Sequence, residues 1–274
     1  MTAELGPNRY GKSAIRLVRV DRSDDGDRVR DLTVAIALEG DFAASYVDGD
    51  NSLVVATDTM KNTAYALAAE HLTGAIETYA AALGRHFLED SQVSTVTVSI
   101  DEFAWRPIGS APDAFTRDRT STRTCVVAMS RDGLTVDAGI ADLVVMKTSK
   151  SAFSGFPRDA FTTLPDTDDR LLATSITASW TYREGTTDFG VRDRIRAALL
   201  ETFAAHRSRS VQHTLYAMGE AALAAAADAT EITLTLPNRH HLPVDLAPFG
   251  LDNPNEIFVA TDQPYGVIEA TIKR

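Results

Sequence analysis

TEITLTLPNRHHLPVD, residues 230–245, holds the clearest strand of the chain. Ile232, Leu234 and Leu236 alternate with Glu231, Thr233 and Thr235, and a period of two puts the apolar set on one face. Pro237 is expected to stop the ladder, because it has no N–H to donate. Asn238, Arg239, His240 and His241 follow at once, so an amide, a guanidinium and two imidazoles stand at the end of a rigid element. A plain polar strand-to-loop transition has the same composition. The choice between site and turn falls to the rest of the chain.

Working outward, Val211, Leu215, Met218 and Ala222 recur at spacings of four, three and four before that strand, which predicts an amphipathic helix. A preceding helix carries Ile195, Leu199 and Phe203 at i, i+4 and i+8, and Leu171–Trp180 reads as a strand ahead of it. The first half runs in the same order. Ile15, Leu17 and the following VRV make a strand, SDDGDR a turn, and Asp31–Glu39 an alternating partner, together a hairpin. The apolar run Leu53–Ala56 gives way at Thr57-Asp58 to helix-favouring composition, and Thr and Asp are good N-caps whose helix would point free N–H groups outward. Leu72, Ile76, Tyr79 and Leu83 form one helical stripe, and Thr95–Ile100 returns to alternation. Arg106–Thr124, polar with two prolines, reads as a long loop. Thr124–Met129 and Leu143–Lys147 are short apolar runs, so a boundary is placed near residue 140, dividing domains 1–140 and 141–274. Strands grouped around helical pairs, without strict βαβ alternation, predict an α+β class with antiparallel sheets and helices layered on one face.

A chain of 274 residues, 44% hydrophobic and 24% charged, is an ordinary globular composition. A net charge of −11 with no Lys/Arg run opposes binding to nucleic acid or anionic membranes. The single cysteine, Cys125, excludes an internal disulfide and a cysteine-based zinc site, in keeping with a reducing cytoplasm. No secretory h-region or apolar stretch of membrane-spanning length occurs, and the chain ends in TIKR rather than a peroxisomal tripeptide. The histidines include no H-x-x-x-H pair, and adjacent His240 and His241 point to opposite faces of an extended chain, so no metal site is predicted. Glycine-rich nucleotide loops and the nucleophile elbow are absent too.

Five stretches in order, YGKSAIRLVRV, NSLVVATDTMKNTAYALA, SAFSGFPRDAFTTLPDTDDRLLAT, SVQHTLY and LPNRHHLPVDL, resemble the signature segments of the urate oxidase (uricase) family over nearly the whole chain. The resemblance implies tandem tunnelling-fold domains, each an antiparallel four-stranded sheet with two helices on one side. It also implies a homotetramer whose joined sheets form a barrel around a tunnel, with active sites shared between subunits. The implied reaction is oxidation of urate by O2 to 5-hydroxyisourate with release of H2O2, needing no metal or organic cofactor.

Carried onto this sequence, the pattern assigns a substrate clamp to Arg170 and Gln212, with the Val211 backbone N–H beside them and Phe153 stacked on the purine. The backbone N–H groups of Thr57 and Asp58 would meet the imidazole side of the substrate, from the neighbouring subunit. Lys12, Thr57 and His240 would form a proton relay, and Asn238 would hold O2 or water above the ring. Arg239 and His241 fall outside the matched set and are taken as structural. Without the motif, Arg170 reads as a surface ion-pair residue, Phe153 as core, Gln212 as exposed helix, Lys12 as a solvated lysine and Thr57 as an N-cap. Two alternatives stand beside the oxidase. A pterin- or purine-handling tunnelling-fold enzyme usually anchors its heterocycle with glutamate and often uses zinc, whereas the anchor here is Gln212. A non-catalytic tetrameric binding protein would have no need of intact Lys12, Thr57 and His240.

Overall fold

A computed structural model describes residues 3–261 and 263–274, which divide into two compact units. The first extends to Gly139 and includes Thr181–Gly190; the second comprises Ile140–Trp180 and Val191–Arg274. Among the described residues, no helix is long and apolar enough to cross a membrane.

In the first unit β1 (Tyr10–Asp21), β2 (Arg28–Gly40), β3 (Val93–Pro107) and β4 (Phe115–Ser130) follow one another antiparallel across the sheet. The register sets Ile15 opposite Val34, Val34 opposite Ile100 and Ile100 opposite Cys125. The period of two therefore gathers the buried Leu17, Leu32, Ile36, Val98 and Val127 with them on one face. The short helix α1 (Ala43–Val47) precedes α2 (Thr57–His71) and α3 (Ile76–Leu88); α2 packs on β1, and α3 on β3 and β4. Each large apolar side chain buried this way stabilises the unit by roughly 1.5–3 kcal/mol. β5 (Leu134–Lys147) begins in the first unit and ends in the second.

The second unit holds most of β6 (Leu172–Tyr182), α4 (Arg192–Ala205), α5 (Val211–Ala225), β7 (Ala229–Pro243), β8 (Phe258–Thr261) and β9 (Val267–Lys273). β7 neighbours β6 and pairs antiparallel with β9 from Glu231↔Lys273 to Pro237↔Val267, then with β8 from His240↔Thr261 to Pro243↔Phe258. Ile195, Leu199, Phe203, Val211, Leu215, Met218 and Ala222 are all buried, as the helical spacings predict, together with Ile232, Leu234 and Leu236.

Four local expectations are corrected. Pro237 does not end its strand. The next N–H, that of Asn238, donates to the Gly266 carbonyl, and the Pro237 carbonyl accepts the Thr174 hydroxyl at 2.8 Å. The neighbours thus carry the ladder past the missing donor. Arg106–Thr124 is not a long loop, since only residues 108–114 separate β3 from β4. Its Thr- and Arg-rich half is a strand of exposed and half-buried residues, with Ser121 buried, whose two polar faces conceal the alternation. The stripe through Leu72 and Ile76 is broken: α2 ends at His71, Leu72 is its C-cap, and α3 starts at Ile76. All of the stripe is nonetheless buried. Finally, Thr57 and Asp58 do not cap α2; they are its first two residues, and Ala56 stands at the cap.

Candidate functional site

The second unit gathers its candidate residues by tying three segments together. The Arg170 N–H donates to the Ser151 carbonyl at 2.7 Å, and Phe153 and Thr167 exchange backbone bonds of 2.8 and 3.0 Å. The Ser151 N–H donates to Asp169 Oδ1 at 3.2 Å, while Ala152 N–H reaches the Ser208 carbonyl and Ser208 N–H the Lys150 carbonyl. Residues 150–153, 167–170 and the link between α4 and α5 therefore form one hydrogen-bonded frame. On it the Arg170 guanidinium carbon lies 5.2 Å from the centre of the Phe153 ring. Phe153 in turn stacks on Phe156 at 4.9 Å and 11°. Arg170 is half-buried, its Nε has no partner among the described residues, and burial depresses the guanidinium below its ordinary value. A buried donor without an acceptor costs about 1–3 kcal/mol, a cost that a bound ligand or water would remove.

The same frame sets α5. Ser210 caps it in extended conformation, its hydroxyl accepting the His213 N–H at 3.1 Å. Val211 and Gln212 are the first helical residues, and their N–H groups have no acceptor within the helix. The Val211 side chain is buried while Gln212 is exposed. On β7, Asn238 and His240 are two residues apart and so share a face, with Nδ2 and Nδ1 3.4 Å apart. His241 turns the other way, to the Arg239 carbonyl.

In the first unit, Lys12 pairs with Ile36 just before a bulge that ends at Ile15, and Ala14 takes a left-handed φ of 57° within it. Gly11 is required here, since a Cβ would fall on the Ile36 carbonyl oxygen. Tyr10 ties this strand to the approach of α2, its hydroxyl accepting the Val55 N–H at 2.8 Å. Thr57 and Asp58 open α2, and no side chain caps their free N–H groups. The Asp58 carboxylate meets Lys61 at 2.5 Å and accepts from Asn62, and the Lys61 bond and charge hold it below the usual carboxylate range, with Lys12 adding a smaller effect. No hydrogen bond joins Lys12 to Thr57 among the described residues.

Thus Phe153 with Arg170, Val211 with Gln212, and Asn238 with His240 are brought together in the second unit; Lys12, Thr57 and Asp58 belong to the first. Two contacts escape the sequence. Phe156 is visible as an aromatic but not as a stacking partner. His206 and His213, at opposite ends of the α4–α5 link, meet at 3.1 Å through Nε2 and Nδ1. Among the described residues, no group of three or more His, Cys, Asp or Glu side chains could hold a metal ion. Taken separately, one unit offers a flat ring, a half-buried guanidinium and an exposed amide, suited to a planar heterocycle with carbonyl acceptors. The other offers an open helix N-terminus, suited to an anionic edge.

A family model described as Uricase matches residues 8–128 and 136–269. The uricase of Arthrobacter globiformis is 44% identical over 98% of this chain and 90% of its own length. That of Dictyostelium discoideum is 38% identical over 99% and 98%. The crystal structure of the Arthrobacter protein superposes with a TM-score of 0.97, covering 100% of this chain and 96% of that one. A uricase from Bacillus fastidious, 24% identical, superposes at 0.85 over 97% and 93%, a likeness of fold. The architecture is the α+β tunnelling fold of these structures.

Proposed function

We propose, from the premise that this chain belongs to the uricase family and is a urate oxidase, that it oxidises urate without metal or organic cofactor at sites shared between the chains of a homotetramer. Urate, O2 and water give 5-hydroxyisourate and H2O2. Two electrons and two protons pass from the purine to O2, and water then adds its hydroxyl at C5. The observation that carries this proposal is Arg170, whose Nε is buried, without a partner among the described residues, on a guanidinium held beside Phe153.

In this proposal the purine stacks on Phe153, which Phe156 backs on its other face, with aromatic stacking adding roughly 0.5–1.5 kcal/mol beyond area. Arg170 presents its planar fork to a carbonyl and ring nitrogen, and Gln212 offers a donor and an acceptor to the opposite edge, with the Val211 N–H beside it. Thr57 and Asp58 of another chain meet the imidazole side with backbone N–H groups. Lys12, Thr57 and His240 move the protons that leave urate and reach the peroxide, and Asn238, on the His240 face, holds O2 and then water over the ring. Each of the two units would be one tunnelling-fold domain, and the tetramer would close their sheets into a barrel in the cytoplasm.

The test is loss of urate absorbance with stoichiometric H2O2 release, by protein dialysed against a chelator. Activity that disappears on dialysis and returns with a metal would contradict the cofactor-free mechanism. Specific activity should fall when dilution dissociates the assembly, because a lone chain would lack a complete site.

A further inference from the structure

Residues 206–210, the link from α4 to α5, are common ground for the clamp. Their Ser208 exchanges backbone bonds with Ala152 and Lys150, immediately before Phe153. Ser151, which pairs with Ser208 in a parallel bridge, accepts the Arg170 N–H. Ser210 caps the helix that opens with Val211 and Gln212. One side-chain contact closes the link from end to end. His206 Nε2 lies 3.1 Å from His213 Nδ1, with ring centres 4.3 Å apart. The Arg209 N–H also points at His213 Nδ1, at 3.4 Å. That makes His213 Nδ1 the acceptor and leaves the single shared proton on His206 Nε2.

We propose that the His206–His213 contact is a lock on the substrate clamp, with His213 as the positioning residue of Val211 and Gln212, and that acid opens it. The inference rests on the clamp assignment made above. When both rings are charged, no acceptor remains between them and the cations repel. Lys147 of β5 adds to that repulsion: its ammonium donates to the Phe203 carbonyl at 3.2 Å and to the His206 carbonyl. Lys150, Arg207 and Arg209 are the other cations of these segments, and Asp169 is the carboxylate whose field reaches Lys147. Burial first, then His213 and Lys147, holds His206 below the ordinary histidine value of 6.5. A depressed folded-state value means the fold favours the neutral ring. The lock therefore contributes fully above about pH 6.5 and is lost as pH falls through the lower folded-state value.

The experiment is steady-state kinetics with urate from about pH 5.5 to 8.5 on the full protein and two exposed-site variants, His213→Ala and His213→Gln. Glutamine can accept from His206 and Arg209 but does not titrate. Dividing each variant's KM by the wild-type KM at the same pH removes the pH effects common to both proteins. For His213→Ala the ratio should be roughly fivefold at high pH, the scale of one lost hydrogen bond, and should decline towards unity in acid. For His213→Gln it should be near unity at high pH and fall below it in acid, with kcat unchanged in both. Ratios of unity throughout, or a loss carried by kcat alone, would overturn the lock while leaving the urate oxidase intact. A wild-type protein with no urate turnover would overturn both.

Discussion

In the proposed site the two units contribute by opposite means. The second offers side chains, Phe153, Arg170, Gln212, Asn238 and His240, on a frame of backbone bonds, and its helix α5 begins under a side-chain cap, Ser210. The first offers backbone, the N–H groups of Thr57 and Asp58, at a helix whose cap position is Ala56. Their polar interiors differ less. In the first, Arg123 meets the buried Glu77 at 2.6 Å and Arg30 meets Glu102 at 2.5 Å. Buried polar atoms without partners among the described residues occur in both: Arg30 Nη2 and Arg123 Nε in the first, Ser151 Oγ, Thr214 Oγ1 and Arg170 Nε in the second.

The sharpest break of that contrast is Arg170→Ala. Removing the guanidinium, whose Nε has no partner among the described residues, would eliminate the charge-assisted hydrogen bonds proposed to urate, worth about 1.5–3 kcal/mol each. Urate affinity should fall by roughly two orders of magnitude, measured by anaerobic titration, with little change in thermal midpoint because no protein partner is orphaned by the loss. Unchanged affinity would remove Arg170 from the clamp. Next in size is the relay. Lys12→Met and Thr57→Ala should each lower kcat by about 10²–10⁴-fold, and the double variant should lose little more, because the two act as a unit. Additive losses would separate them.

These residues also mark how far the sequence alone reaches. The alternation of Ile232, Leu234 and Leu236 and the helical spacings of α4 and α5 were legible because burial is one-sided there. Phe115–Thr124 was not, because strand pairing without a covered face leaves no hydrophobic period to find. Pro237 misleads for a different reason: whether a missing N–H ends a strand depends on what its neighbours bond to, here Gly266 and Thr174. The candidate site residues were assigned through motif order, whereas the His206–His213 contact left no trace in the sequence. Seven positions apart across a turn, the two rings are related only by the angle at which α4 and α5 meet.

Ser210→Ala removes the α5 cap and should lower stability by about 1 kcal/mol, within the usual range for such losses. The same change loosens the first turn that carries Val211 and Gln212, so KM should rise with kcat retained. Heat denaturation and steady-state kinetics on one preparation separate the two effects. A stability loss with unchanged KM would show that the cap serves the helix alone.

The reciprocal change is the smallest and the most discriminating. Ala56 already has the extended backbone of a cap residue, φ −58° and ψ 135°, but no side chain to cap with. Ala56→Ser would give α2 what Ser210 gives α5, and a serine in place of alanine at this position is worth roughly 0.5–2 kcal/mol. If the first unit contributes only structure, the variant is a plain improvement, with a higher midpoint and unaltered kinetics. If the N–H groups of α2 bind substrate, the new hydroxyl competes for the donors of that first turn. The protein should then become more stable and a worse enzyme, its KM raised a few-fold. Stability and affinity moving in opposite directions from one hydroxyl is an outcome that a purely structural role for α2 does not produce.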